Sequence, residues 1–201
     1  DLILKYSADI GHYIGDAHVP LHTTENYNGQ MTNQKGIHGF WESRLPELYG
    51  DNYDYWVGKA KYIANPSDYI WDFILESHVA LDTVLLGEAE LTKKFPSDQK
   101  YSYETRGQTT TKTYSEGFSK AYDNLLGDMV ERRMKKAIIS VGSFWTTAWI
   151  NAGQPDLSCL NEAVELAEVD KEEEERLKKA KAEGKQKGRK HDNEGSNLSI
   201  D

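Results

Sequence analysis

A single cysteine, Cys159, in a chain of 201 residues leaves no partner for an intrachain disulfide and no thiolate cluster for a metal. Any metal site must therefore be built from histidine and carboxylate. Long apolar runs are missing too, because no stretch reaches the roughly 18 apolar residues that a membrane-spanning helix needs. The opening DLILKYSADIGHYIGD carries neither a basic n-region nor a small-residue cleavage site. It reads as the middle of an amphipathic helix, so the natural protein is expected to start upstream of Asp1. Basic residues are outnumbered by acidic ones, 24 to 33, and the formal net charge of -9 disfavours broad electrostatic binding to polyanions. It does not exclude a phosphate substrate at a site where bound cations restore positive charge. No strand-like alternation competes seriously and no internal repeat is found, so the expected fold class is all-α.

What is present suits one globular domain with polar appendages, given the length and a hydrophobic fraction of 38%. Leu2, Ile3, Tyr6, Ile10, Tyr13 and Ile14 recur at spacings of three and four, which predicts a helix from about Asp1 to His18, stopped by Pro20. Thr23 to Gly36 is rich in Asn, Gly, Gln and Thr and reads as a loop. A second helix is expected to open near Ile37 and to run through Trp41 and Leu45 before or around Pro46. A third spans about Pro66 to Lys94, with Asn65 as N-cap and Pro66 behind it. Its core face is expected from Ile70, Phe73, Ile74, Val79, Leu81, Val84 and Leu85. Phe95 to Thr113 reads as a polar connection. The longest pattern runs from about Tyr114 to Asn151 with Leu125, Leu126, Met129, Met134, Ile138, Val141 and Trp145, ending at Gly153 and Pro155. The helical domain is thus expected over 1–160. The remainder, 161–201, contains KEEEERLKKAKAEGKQKGRK and has too little apolar surface to offset ordering, so a charged helix fraying into a disordered tail is expected.

Four of the six histidines, His12, His18, His22 and His38, stand between positions 12 and 38. His12 and Asp16 are i,i+4 on the first helix, a spacing that places both side chains on one face about 6 Å apart along the axis. His38 and Glu42 repeat that geometry, and His22 follows the turn at Pro20. His22, His38 and Glu42 would make an open three-ligand zinc set, and His12 with Asp16 half of another, Asp16 having a second oxygen free to bridge. A lone His-x-x-x-Asp pair is commonly only a hydrogen bond, so it is the repetition that carries weight. His18 faces elsewhere and suits a structural or supporting hydrogen bond. His78 reads as a core or surface histidine, and His191 as solvated. Trp41, Tyr49, Tyr53, Tyr55 and Trp56 could stack on a base or a lipid headgroup, although core packing is the favoured role.

The segment HYIGDAHVPLH, His12 to His22, followed by GIHGFWE, Gly36 to Glu42, resembles the zinc-dependent phospholipase C and single-strand-specific nuclease superfamily. Its members read approximately H-x-x-G-D-x-x-x-P-x-H and then H-x-x-x-D/E. Gly15 and Pro20 fall on the motif, and RMKKAIISVGSFWTTAWINAG is similar to the family's last long helix. The resemblance implies that His12 is a ligand of one zinc, that Asp16 bridges this ion to another, and that His22, His38 and Glu42 hold the remaining one. It further implies up to three zinc ions, hydrolysis of phosphodiesters in a phospholipid or a single-stranded nucleic acid, and export to the periplasm or beyond. Glu42, where the fungal nucleases have Asp, leans toward the phospholipase side. Two departures stand out. Family members use an N-terminal Trp with further His and Asp residues upstream of the matched motif, and these have no counterpart here. The fungal nucleases carry disulfides that Cys159 alone cannot supply. One complete zinc set and two incomplete ones are therefore expected, which keeps open a zinc-binding helical module without turnover.

Overall fold

The computed structural model describes residues 2–106, 109–158 and 160. Cys159 and the expected charged segment 161–201 lie outside them. Among the described residues the fold is a helical bundle with one small hairpin. Helix α1 (Leu2–Ala17) is followed by a tight turn at Pro20–Thr23, a loop, and the short helices α2 (Ile37–Gly39) and α3 (Leu45–Tyr49). Then come α4 (Pro66–Lys94), the strands β1 (Tyr101–Arg106) and β2 (Thr109–Tyr114), and the helices α5 (Glu116–Leu126) and α6 (Met129–Asn151). Helix α4 begins as its sequence predicts, the Asn65 side chain accepting from the Asp68 N–H with Pro66 in the first turn, and Lys93 and Lys94 complement the dipole at its end.

Three expectations need correction. The helix expected to stop before or around Pro46 continues to Tyr49, because a π turn over Phe40–Arg44 joins α2 to α3 without a break. The Leu45 N–H reaches back to the Phe40 carbonyl, so the widened turn takes up the irregularity that proline would otherwise impose on a regular helix. The single long helix expected from Tyr114 is two helices. Gly127, at φ 61° and ψ -128°, turns the chain between them. The polar connection after Phe95 contains an antiparallel hairpin, with Tyr101 opposite Tyr114 and Arg106 opposite Thr109. Its run of Thr and Tyr residues on either side of Gly107 is the strand signal that polarity concealed.

The main core gathers Leu21, Ile37, Phe40, Trp41, Leu45, Val84, Phe118 and Tyr122, all buried. Burying a side chain of this size contributes roughly 2 kcal/mol. A smaller cluster of Ile14, Ile63, Phe73 and Phe144 holds α1 to α4 and α6. Val79, expected on the core face of its helix, is instead exposed, and so are Leu125, Ile138 and Trp145 of the last long pattern. On α1 only Ile14 is buried, and Leu2, Ile3, Tyr6, Ile10 and Tyr13 face outward. The contact of α1 with α6 runs instead past Gly11, where a Cβ would meet Trp145 and Val141 at 3.7 Å.

Candidate metal centre

Each donor is placed by a buried neighbour. Ile14 fixes the rotation of α1, and His12 and Asp16 then share its accessible face, His12 Nε2 lying 3.4 Å from Asp16 Oδ2. After α1 the Val19 carbonyl accepts from the His22 N–H at 3.1 Å, closing the turn that starts at Pro20. Leu21 is fully buried there, and its neighbour His22 turns toward Asp16 and Glu42. Gly36, at φ 98°, admits the chain to α2, and its carbonyl accepts from the Phe40 N–H at 3.0 Å. Ile37 and Phe40 bury themselves on the core side of that short helix, so His38 and Glu42 lie on the other.

His22, His38 and Glu42 each offer one ligand atom, and these atoms lie within 4.8 Å of one another. His38 Nε2 is 2.6 Å from Glu42 Oε2, His22 Nε2 is 4.0 Å from the same oxygen, and the two imidazole rings stand nearly perpendicular at 4.7 Å. A three-residue cluster able to chelate one metal ion is therefore present. The other ring nitrogen of His38, Nδ1, lies 3.3 Å from the Tyr27 carbonyl. When Nδ1–H donates there, neutral His38 keeps the Nε2 lone pair for a ligand. Burial of the ring works against its protonated form, but the hydrogen bond and charge of Glu42, with help from the Tyr27 carbonyl and Asp16, outweigh it and hold the pKa of His38 above the ordinary value. The raised pKa reflects a site that favours positive charge beside Glu42.

Asp16 stands between the two halves of the centre. Its Oδ2 faces His12, and its Oδ1 is 3.9 Å from His22 Nε2. His12, Asp16 and Glu42 line a cleft of about 340 Å³ together with Trp41, Met134 and Ile138. A tetrahedral ion held by the two nitrogens of His22 and His38 and one oxygen of Glu42 would keep a fourth position for water.

His18 keeps apart from the cluster, as its spacing predicts. It is buried, with Nδ1 2.7 Å from the Ile14 carbonyl, Nε2 3.4 Å from Ser140 Oγ, and its ring stacked on Phe73 at 4.3 Å. Burial lowers its pKa to about 4; the Ile14 carbonyl opposes this and the nearby Arg133 charge adds to it. Arg133 in turn donates to the His18 carbonyl at 2.9 Å and to Glu76 at 3.2 Å, so its buried charge is paired. His78 is exposed, 3.1 Å from Thr23 Oγ1. The aromatic stripe divides: Trp41 is buried and Tyr49 and Tyr53 pack against the core, whereas Tyr55 and Trp56 are exposed. Sequence reasoning missed Tyr27, whose contribution is a main-chain carbonyl and leaves no side-chain signature, and Gln34, discussed below. Comparison with protein-family models, with curated proteins and with solved structures finds no match to this chain.

Proposed function

We propose that this chain is a zinc-binding helical module in which His22, His38 and Glu42 hold one ion. One observation carries the reading, the convergence of those three donors within 4.8 Å. Imidazole nitrogen with carboxylate oxygen suits zinc, and no cysteine is needed. The purified chain should bind zinc at a stoichiometry of about one, and His38→Ala should abolish that binding while leaving the circular dichroism of the fold intact. A folded parent chain that takes up no zinc from a supplemented buffer would sink the assignment.

Asp16 and the cleft beside it favour a second, finer reading, a phosphodiester hydrolase of the phospholipase C or nuclease kind. A carboxylate whose two oxygens face different histidines is placed to serve two ions, and the cleft brings a substrate against His12, Asp16 and Glu42. Zinc bound here would lower the pKa of coordinated water toward neutrality and offset charge on a phosphate. The protein's own part is to fix the donors and to offer Trp41, Met134 and Ile138 as an apolar wall. Hydrolysis of phosphatidylcholine against single-stranded DNA by the zinc-loaded chain separates the two substrate classes, with His22→Ala as control. Glu42 favours the phospholipid. Turnover of neither substrate would remove the hydrolase reading and leave the module reading standing.

A further inference from the structure

His38 reaches the centre from α2, a three-residue helix that a loop leads into, and a loop by itself does not hold a ligand to a fraction of an ångström. The geometry points to Gln34, clamped by the buried Glu88 of α4, as the positioning residue that sets His38 for metal binding, an inference that rests on the zinc-binding reading above. Gln34 and Glu88 are both buried. The Gln34 amide gives one hydrogen to Glu88 Oε2 at 2.6 Å and the other to the Leu85 carbonyl at 2.7 Å. Both donors of the amide are thereby used on α4. The other oxygen of Glu88 accepts from Lys100 Nζ at 2.7 Å and from Thr92 Oγ1 at 2.9 Å. The carboxylate is therefore charge-compensated independently of Gln34, which makes it an anchor rather than an uncompensated buried charge.

The main chain of Gln34 passes that anchorage to the site in two directions. Forward, its carbonyl accepts from the Ile37 N–H at 3.1 Å, so it forms the entry to the short helix that carries His38. Backward, its N–H donates to the Gly29 carbonyl at 2.8 Å. That bond closes the loop against itself so tightly that a Cβ on Gly29 would lie 2.4 Å from the Gln34 carbonyl oxygen. Immediately before this closed turn stands Asn28, which accepts from the Gly36 N–H through its side chain at 3.0 Å, and beside it Tyr27, whose carbonyl meets His38 Nδ1. One residue thus holds both the backbone that bears the ligand and the carbonyl that orients its ring. Groups that orient a metal-binding histidine typically change affinity tenfold to a hundredfold when lost.

The test compares zinc affinity, by competition with a chromophoric chelator, and the visible absorption of the cobalt-loaded chain. Gln34→Met keeps the side-chain length and removes both donors, and Gln34→Asn shortens the reach by one methylene. Each is expected to weaken zinc binding by roughly tenfold or more and to alter the cobalt spectrum. The exchange Gln34→Glu with Glu88→Gln restores one amide-to-carboxylate hydrogen bond in the opposite sense and should recover part of the affinity. A lower melting temperature with unchanged zinc affinity and cobalt spectrum in both single variants would show a merely structural clamp and overturn the inference. Failure of the parent chain to bind zinc would overturn the metal reading itself, and this inference with it.

Discussion

A histidine kept neutral by its surroundings is a pH liability that can be assigned to one residue. His18 is buried on Phe73 and lies against the paired cation Arg133, so its pKa falls from 6.5 to about 4. In the unfolded chain it takes a proton near pH 6.5, while the folded chain refuses it until about pH 4. The unfolded state therefore binds more protons through that window, and stability present above pH 6.5 is lost as the pH falls toward 4. The loss amounts to about 3 kcal/mol for the gap between the two values. Thermal melts from pH 7 to pH 4 should show a steep decline for the parent chain and a shallower one for His18→Gln, which has no proton to gain. Equal slopes would mean that acid lability lies with other groups. Within the His22, His38 and Glu42 cluster, His38 and Glu42 were legible in sequence for a simple reason: like His12 and Asp16, they are an i,i+4 pair whose convergence is local. Gln34 was not, because its partner Glu88 lies on a separate helix and nothing in a polar loop marks one amide as anchored.

Turns and breaks decide more of this fold than propensities do. Between α5 and α6 the chain reverses at Gly127, whose φ of 61° and ψ of -128° is a conformation that L residues avoid. A Cβ there would meet nothing within 4 Å, so the cost of Gly127→Ala is backbone strain free of steric clash. That variant should lose about 1 to 3 kcal/mol. Chemical denaturation measures it directly, and a loss below the fitting error would show that the junction relaxes. Helices α1 and α4 were legible almost to the residue, since Asn65, Pro66 and Pro20 punctuate an unbroken periodicity. The break at Gly127 was not, because apolar spacing carries through it. The hairpin was concealed likewise. Its strands owe their place to long-range contacts: Tyr114 stacks on Phe40 at 3.8 Å, and Glu104 pairs with the buried Arg44, which lies in the same π turn as Glu42.

At the scale of the molecule, the candidate centre joins chain segments that are otherwise separate. His22 follows α1, His38 rides on α2 and Glu42 sits in the π turn, so an ion shared by the three closes the loop between them in the folded state only. Any ligand bound by the folded state and not by the unfolded one stabilises it by an amount set by its concentration relative to Kd, about 2.7 kcal/mol at a hundredfold excess. For a chain of this size that is on the order of 5 to 10 °C in melting temperature. Zinc should therefore raise Tm progressively with concentration, and a chelator should return it to the metal-free value. His38→Ala should remove the zinc increment. Gly127→Ala should lower Tm with and without zinc by the same amount, because its strain lies at the α5–α6 junction and involves none of the donors. That pair of variants separates local from global effects. A zinc increment that survives in His38→Ala would place the ion elsewhere, and an increment that vanishes in Gly127→Ala would mean that the centre and the α5–α6 junction fold as one coupled unit.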